Sequence, residues 1–444
     1  MPPRRRNCLC FAFVLTGAMM GSCASDPPLP RVAPGAFDGT LLVVSDADMA
    51  ATAYADGALE PVGDADALSV VVDGAVVASA SASNSVISWP QVVDASPDGV
   101  AFVVETKGPA PAGADQLDSV YTDFPEGRRL TALRVRGGGV TALGSVDVGA
   151  NPGSVEWSEA LGGAVVATET PGAEVALVTL GPDGQPTLAG TAALDADVRE
   201  GDAEPRIRTL HVSPDGRTLA ANVANRRVQF FSLERGADGI AARALGPASG
   251  DLGSRLATGA WTPDGRYFLI TDTNWSDSGL RMLFQGPGAV TVLAPVAGAA
   301  PRVVSRAEVG RSPEGFAVAP SGRRVATINM ERTYLPERAF LSNWAGRKRY
   351  SVSLLDLDPA TGALAEVSRI EQAGILPEDV VFDRTERNLA VAVFHRREGE
   401  ARRSGWVDFF RIEDDGSLTS QGVTQRVVRG AHDMVVLTGE RPDE

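Results

Sequence analysis

The 444-residue chain carries 41 basic and 56 acidic side chains, a net charge of −15, which excludes nucleic acid and anionic lipid headgroups as partners because both require a basic footprint. All three cysteines lie within the first 23 residues, so the rest of the chain holds no disulfide, and three dispersed histidines without a cysteine make no zinc constellation. Beyond the leader no apolar stretch approaches the ~20 residues of a spanning helix.

Residues 1–22 have the layout of an export signal: Arg4, Arg5 and Arg6, an apolar run, then small Gly21 and Ser22. Met20-Gly21-Ser22-Cys23 resembles a lipobox, which implies acylation of Cys23 and attachment to a membrane surface through lipid alone. Cleavage near Ala24 with an incidental cysteine is the competing reading. Residues 23–38, with Pro27, Pro28, Pro30 and Pro34, read as a semi-rigid tether. Residues 39–438 are then the folded domain and 439–444 a polar tail.

Within the domain, Ser96-Pro97-Asp98-Gly99 recurs as Ser213-Pro214-Asp215-Gly216 and Thr262-Pro263-Asp264-Gly265, with worn copies at Pro320-Ser321-Gly322 and Phe382-Asp383-Arg384-Thr385. Pro presets φ, Asp bonds the nearby backbone and Gly supplies positive φ, so each copy predicts a tight turn between two strands. Strand pairs are expected over 92–106, 155–170, 208–222, 258–272, 316–329 and 380–394. A further pair near 68–80, or the terminal closure, makes about seven units. A repeat of this length is an array whose units cannot bury their faces alone, so one all-β propeller of four-stranded blades is expected. Residues 41–44 read as a second strand and 434–437 as a first, so the two ends should complete one blade and remove the open edge. The irregular 41–85 region leaves an eighth blade open.

Pro313-Glu314-Gly315-Phe316-Ala317-Val318-Ala319-Pro320-Ser321-Gly322 and Pro377-Glu378-Asp379-Val380-Val381-Phe382, with the Asp-Gly turns, resemble the unit of the lactonase-like propellers that include the YVTN repeat proteins. The resemblance spans most of residues 40–437. It implies a seven-bladed ring and either lactone-ring chemistry or binding without reaction. The Tyr-Val-Thr-Asn strand itself is absent, so the likeness is to the superfamily.

Strand order places the start of each first strand and the end of each second strand on one side, the loop face, where insertions 107–129, 272–288, 331–349 and 395–404 also fall. Polar residues gather there, among them Glu314, Glu378, Asp433, His395 and His432, which are the candidate acid and base groups because paired carboxyls near a histidine suit proton transfer. The competing reading has them satisfying a wet channel. His211, between apolar neighbours, reads as a satisfied core group. Arg206, Arg332, Arg396 and Arg397, with Tyr334 and Trp344, suit an anionic small molecule or an acidic protein partner through guanidinium forks and ring stacking. Asp272, Asn274 and Asp277 bring oxygens together as in a calcium loop but lack the closing Glu, so an Asx-turned loop is the default and no metal or cofactor is expected. Gly137-Gly138-Gly139 lacks the following Lys-Ser of a phosphate loop, and no Gly-x-Ser-x-Gly elbow is present. Two functions follow: an exported binding scaffold, acting as a monomer through its loop face, or a lactonase-type hydrolase of an acidic lactone or sugar acid.

Overall fold

The computed structural model describes residues 35–47, 65–109, 124–199, 202, 207–236, 239–276, 284–334, 348–396 and 403–437. They form seven antiparallel sheets of four strands each. Every first strand touches the first strand of the next sheet, around to the start. The chain is therefore a seven-bladed propeller, without the eighth blade that 41–85 left open.

Blade 1 joins the two ends of the domain. Its inner strand is Ala431–Leu437, followed outward by Thr40–Ser45, Ala67–Val72 and Ala75–Ser81. Val43 pairs with Met434 and Val44 with Asp433, the closure expected from the sequence. The inner strands of blades 2 to 7 are Val93–Ala95, Ser154–Ser158, Ile207–Val212, Leu256–Trp261, Pro313–Val318 and Ile375–Phe382.

Second strands are apolar on both faces and fully buried, as in Val100–Val104 and Asn388–His395, because each sheet is sandwiched between two others. Outer strands such as Leu364–Ala373 alternate exposed and half-buried positions along much of their length, since the rim meets water. The tight turns form as their chemistry dictates. Ser213 Oγ donates to Asp215 Oδ1 at 2.6 Å, Gly216 N donates to Ser213 O at 2.8 Å, and Gly216 sits at φ +70°. Blade 7 has Glu386 instead of glycine, at φ +56°. There the Asp383 carboxylate gathers the hydroxyl of Thr385, the backbone of Arg387 and the side chain of Asn388, which offsets the strain of a left-handed glutamate.

Inner strands are edge strands, and their outward N–H groups need acceptors. Acidic side chains of the preceding blade supply them. Asp379 Oδ2 accepts from Met434 N at 3.0 Å, Asp433 Oδ2 from Val93 N at 2.8 Å, Asp94 Oδ2 from Trp157 N at 2.6 Å and Glu156 Oε2 from Val212 N at 3.0 Å. These carboxyl staples tie blades 7, 1, 2, 3 and 4 in succession.

Candidate functional site at the loop-side mouth of the channel

The stapling pattern separates the inner-strand acids into two kinds. Asp433 and Asp379 hold the next blade, so architecture accounts for their burial. Glu314 is the second residue of the inner strand of blade 6 and Glu378 lies midway along that of blade 7, and neither holds a backbone N–H of a neighbour among the described residues. Both are almost fully buried, and Glu314 Oε2 has no hydrogen-bond partner. The two blades approach closely here: a Cβ on Gly315 would stand 2.3 Å from Glu378 O, so only glycine fits.

Burial pushes the Glu314 carboxyl up to about 8, opposed by the positive charge of Arg255. Burial raises Glu378 well above the usual carboxylate range, and the charges of Glu314, Asp379 and Asp46 raise it further. Asp433 rises to about 7 by burial, held back by the backbone N–H groups it accepts. Burial and the neighbouring Asp433 charge lift Asp379 well above its ordinary value. At neutral pH Glu314 and Glu378 therefore largely keep their protons.

The histidines are fully enclosed. His432 is lowered to about 3 by burial, beside the Ser88 backbone, and stays neutral. His395 Nδ1 donates to the Arg396 carbonyl at 3.2 Å. His211 accepts from Gln91 Nε2 on Nδ1 at 3.1 Å and donates from Nε2 to Thr209 at 3.1 Å, and burial lowers it to about 3, the satisfied core group expected. Its 3.9 Å approach to Glu156 joins two neutral groups and is no ion pair, because burial also raises Glu156 to about 8.

Over this cluster runs a strap, residues 84–91, that sequence reading missed. Its Val86 N donates to Asp46 in blade 1, Ser88 Oγ to Gly153 O ahead of blade 3, Trp89 Nε1 to Asn225 in blade 4, and Gln91 Nε2 to Gly259 O in blade 5. Arg208 donates back to Ile87 O. The Trp89 ring meets Trp275 at 5.9 Å, and Trp275 meets Tyr334 of blade 6 at 5.7 Å. A segment hydrogen-bonded to four blades has to cross the channel mouth. The signal was present in Val86, Ile87 and Trp89, apolar residues in a connection too long for a turn.

No family model matches the sequence, and no curated protein matches it. Solved structures do. The periplasmic gluconolactonase PpgL of Pseudomonas aeruginosa is 18% identical with a TM-score of 0.60, over 89% of this chain and 98% of that one. A candidate 6-phosphogluconolactonase of Bacteroides fragilis is 14% identical at TM-score 0.59, over 90% and 97%, and another from Bacteroides uniformis is 14% identical at 0.57, over 89% and 97%. The chain shares the seven-bladed propeller fold of these structures.

On this propeller the candidate arginines separate. Arg396 pairs with Asp408, whose other oxygen accepts from Tyr350 at 2.7 Å, and its guanidinium lies 5.5 Å over Trp406, so it braces blade 7 against blade 6. Half-buried Arg332 is pulled below its ordinary value by burial and by the charge of Arg311, with Tyr334 beside it. That pair brings positive charge and a ring together near the mouth. Asp272 Oδ1 accepts from the backbones of Ser254, Arg255 and Asn274 at 3.0 to 3.2 Å, and Oδ2 meets Arg306 at 2.9 Å, the geometry of an Asx-turned loop. Among the described residues no group of His, Cys, Asp and Glu is arranged for a metal ion. Cys23, Arg206, Asp277, Trp344 and Arg397 lie outside the described residues.

Proposed function

We propose that the chain hydrolyses the ring ester of a small lactone at the loop-side mouth, with Glu314 and Glu378 as its working groups. One observation carries this reading: these are the buried inner-strand acids that do no stapling. Glu314, the more readily ionised of the two, takes a proton from water as the water oxygen bonds to the lactone carbonyl carbon. Glu378, still protonated, gives its proton to the ring oxygen as the carbon–oxygen ring bond breaks, leaving a hydroxy acid. Such coupled carboxyls titrate as a unit, and the rate follows loss of the first proton. His432 is too weak a base to share the task. The names of the neighbouring lactonases support the reaction class, and the periplasmic one supports the envelope location that the leader implies.

The test is hydrolysis of a panel of five- and six-membered lactones by the purified chain, corrected for spontaneous opening, beside Glu314→Gln and Glu378→Gln. Loss of at least about 100-fold in either variant is expected; equal rates in wild type and both variants would remove the reading.

A second reading, a scaffold that binds an anionic molecule or acidic protein through the loop face, is favoured by the strap over the acids and by Arg332 beside Arg311. Replacing Arg332 should then weaken capture of a sugar-acid anion, more so at low salt.

A further inference from the structure

The outer strands of blades 1, 2 and 3 are Ala75–Ser81, Gly139–Asp147 and Pro186–Ala192, and each touches the next along the rim. In a chain of which 22% is charged, Asp147 is the one charged side chain on these three strands, and it is paired with Arg128 at the loop-side end of the arc. The other four outer strands each carry charge, up to Arg302, Arg306 and Glu308 in blade 5 and Glu366, Arg369 and Glu371 in blade 6. The rim therefore has an uncharged side and a charged side.

The uncharged side also presents apolar surface. Between the pairs Val70–Ala78 and Val71–Val76 the register shifts, which leaves Val77 as an extra residue. A regular strand turns one of two neighbouring valines inward; the bulge turns Val76 and Val77 both outward, 38% and 48% exposed. It also bends the free edge out of line for pairing with an added strand, so a contact here is made by side chains. Val367 in blade 6 lies at the same kind of bulge and is 46% exposed, but with Glu366 and Arg369 on its strand.

We propose that the uncharged arc joins two copies of the chain about a two-fold axis, where the sequence alone suggested a monomer. In a two-fold contact the same patch meets itself, so a charged patch would set like charges opposite one another. Each copy carries −15, and two copies approach at least cost where neither bears charge. A partner of another sequence could match the arginines and glutamates of blades 5 and 6 and be steered by them, whereas the arc offers it no charge to match. The rim lies away from the channel mouth, so joined copies keep both loop faces free and the contact is independent of hydrolysis.

The experiment is sedimentation equilibrium of the chain carrying Cys23→Ser, so that no acyl group drives association, over about 1–100 μM at low and high salt. Beside it run Val77→Arg and Val367→Arg, which add the same charge to strands of opposite character, each checked for cooperative melting. The expected result is a dimer with a Kd on the order of 10 μM, which holds or tightens as salt rises because screening relieves repulsion between the acidic copies. Val77→Arg should weaken it at least about 10-fold by setting unpaired guanidiniums into the contact, and Val367→Arg should leave it unchanged. A chain monomeric throughout, a dimer weakened by both variants or by neither, or one that salt dissociates would overturn the proposal. If Val77→Arg fails to fold, Ser79→Arg, at an exposed position of the same strand, takes its place.

Discussion

Replacing Glu314 with glutamine should make the protein more stable and less active at once. The carboxyl rises from 4.5 to about 8 on folding. Below pH 4.5 it is protonated in both states and has no effect. Between 4.5 and 8 the unfolded chain releases a proton that the folded chain retains, so stability falls as pH rises; above 8 both states are ionised and the loss is complete. At about 1.4 kcal/mol per unit, the span from pH 5 to pH 8 costs the fold on the order of 4 kcal/mol through this one group. Glutamine copies the protonated acid in shape and has nothing to release. Urea denaturation of wild type and Glu314→Gln at both pH values isolates the contribution of Glu314 together with its effect on Glu378, because the more distant titrating groups cancel in the difference. The variant should gain a few kcal/mol on wild type between pH 5 and pH 8 while losing hydrolysis. Parallel pH dependences would show that Glu314 is not held neutral in the folded chain, and the roles assigned to it and Glu378 would fall with that.

Four more outcomes are expected. Asp433→Ala strips Val93 N of its acceptor at the ring junction and should destabilise the chain by about 1–3 kcal/mol in thermal or urea melts, whatever happens to activity. Trp89→Ala removes the ring that meets Trp275 and should cost about 3 kcal/mol, with faster amide exchange across residues 84–91 than elsewhere in blade 2. Cys23→Ser should abolish incorporation of labelled fatty acid and release the exported chain from the membrane fraction, whereas unchanged labelling would point to another anchor. Wild-type hydrolysis should climb through about pH 8 as Glu314 ionises, and a profile flat from pH 6 to 9 would contradict that assignment.

The turns, the blades and the closure were readable because their chemistry is local or periodic: Ser213, Asp215 and Gly216 make their turn almost unaided, and the pairing of 41–44 with 434–437 follows from counting strands. The acids at the inner-strand starts were readable in position but not in duty. Whether Asp433 staples and Glu314 does not depends on the offset between neighbouring blades, which no single repeat encodes. Rarity drew attention to His395 and His432, yet their surroundings come from several blades, and burial leaves His432 neutral. The strap escaped because residues 84–91 occur once and have no periodicity; their partners lie as far away as Asn225 and Gly259. Arg396 shows the same limit, since its tie to Asp408 requires knowing which side of blade 7 it faces.

The pairing of Val43 with Met434 joins residues nearly 400 positions apart. At synthesis rates of about 5–20 residues per second, the first of these strands waits on the order of half a minute for its mate to be made. Until then the nascent product exposes an apolar border open to wrong associations. Translocation of a still-unfolded thread, with the final clasp fastened on the far side, would turn that delay into an advantage, and joining the native ends while cutting between two other blades should yield a permuted protein with the same architecture.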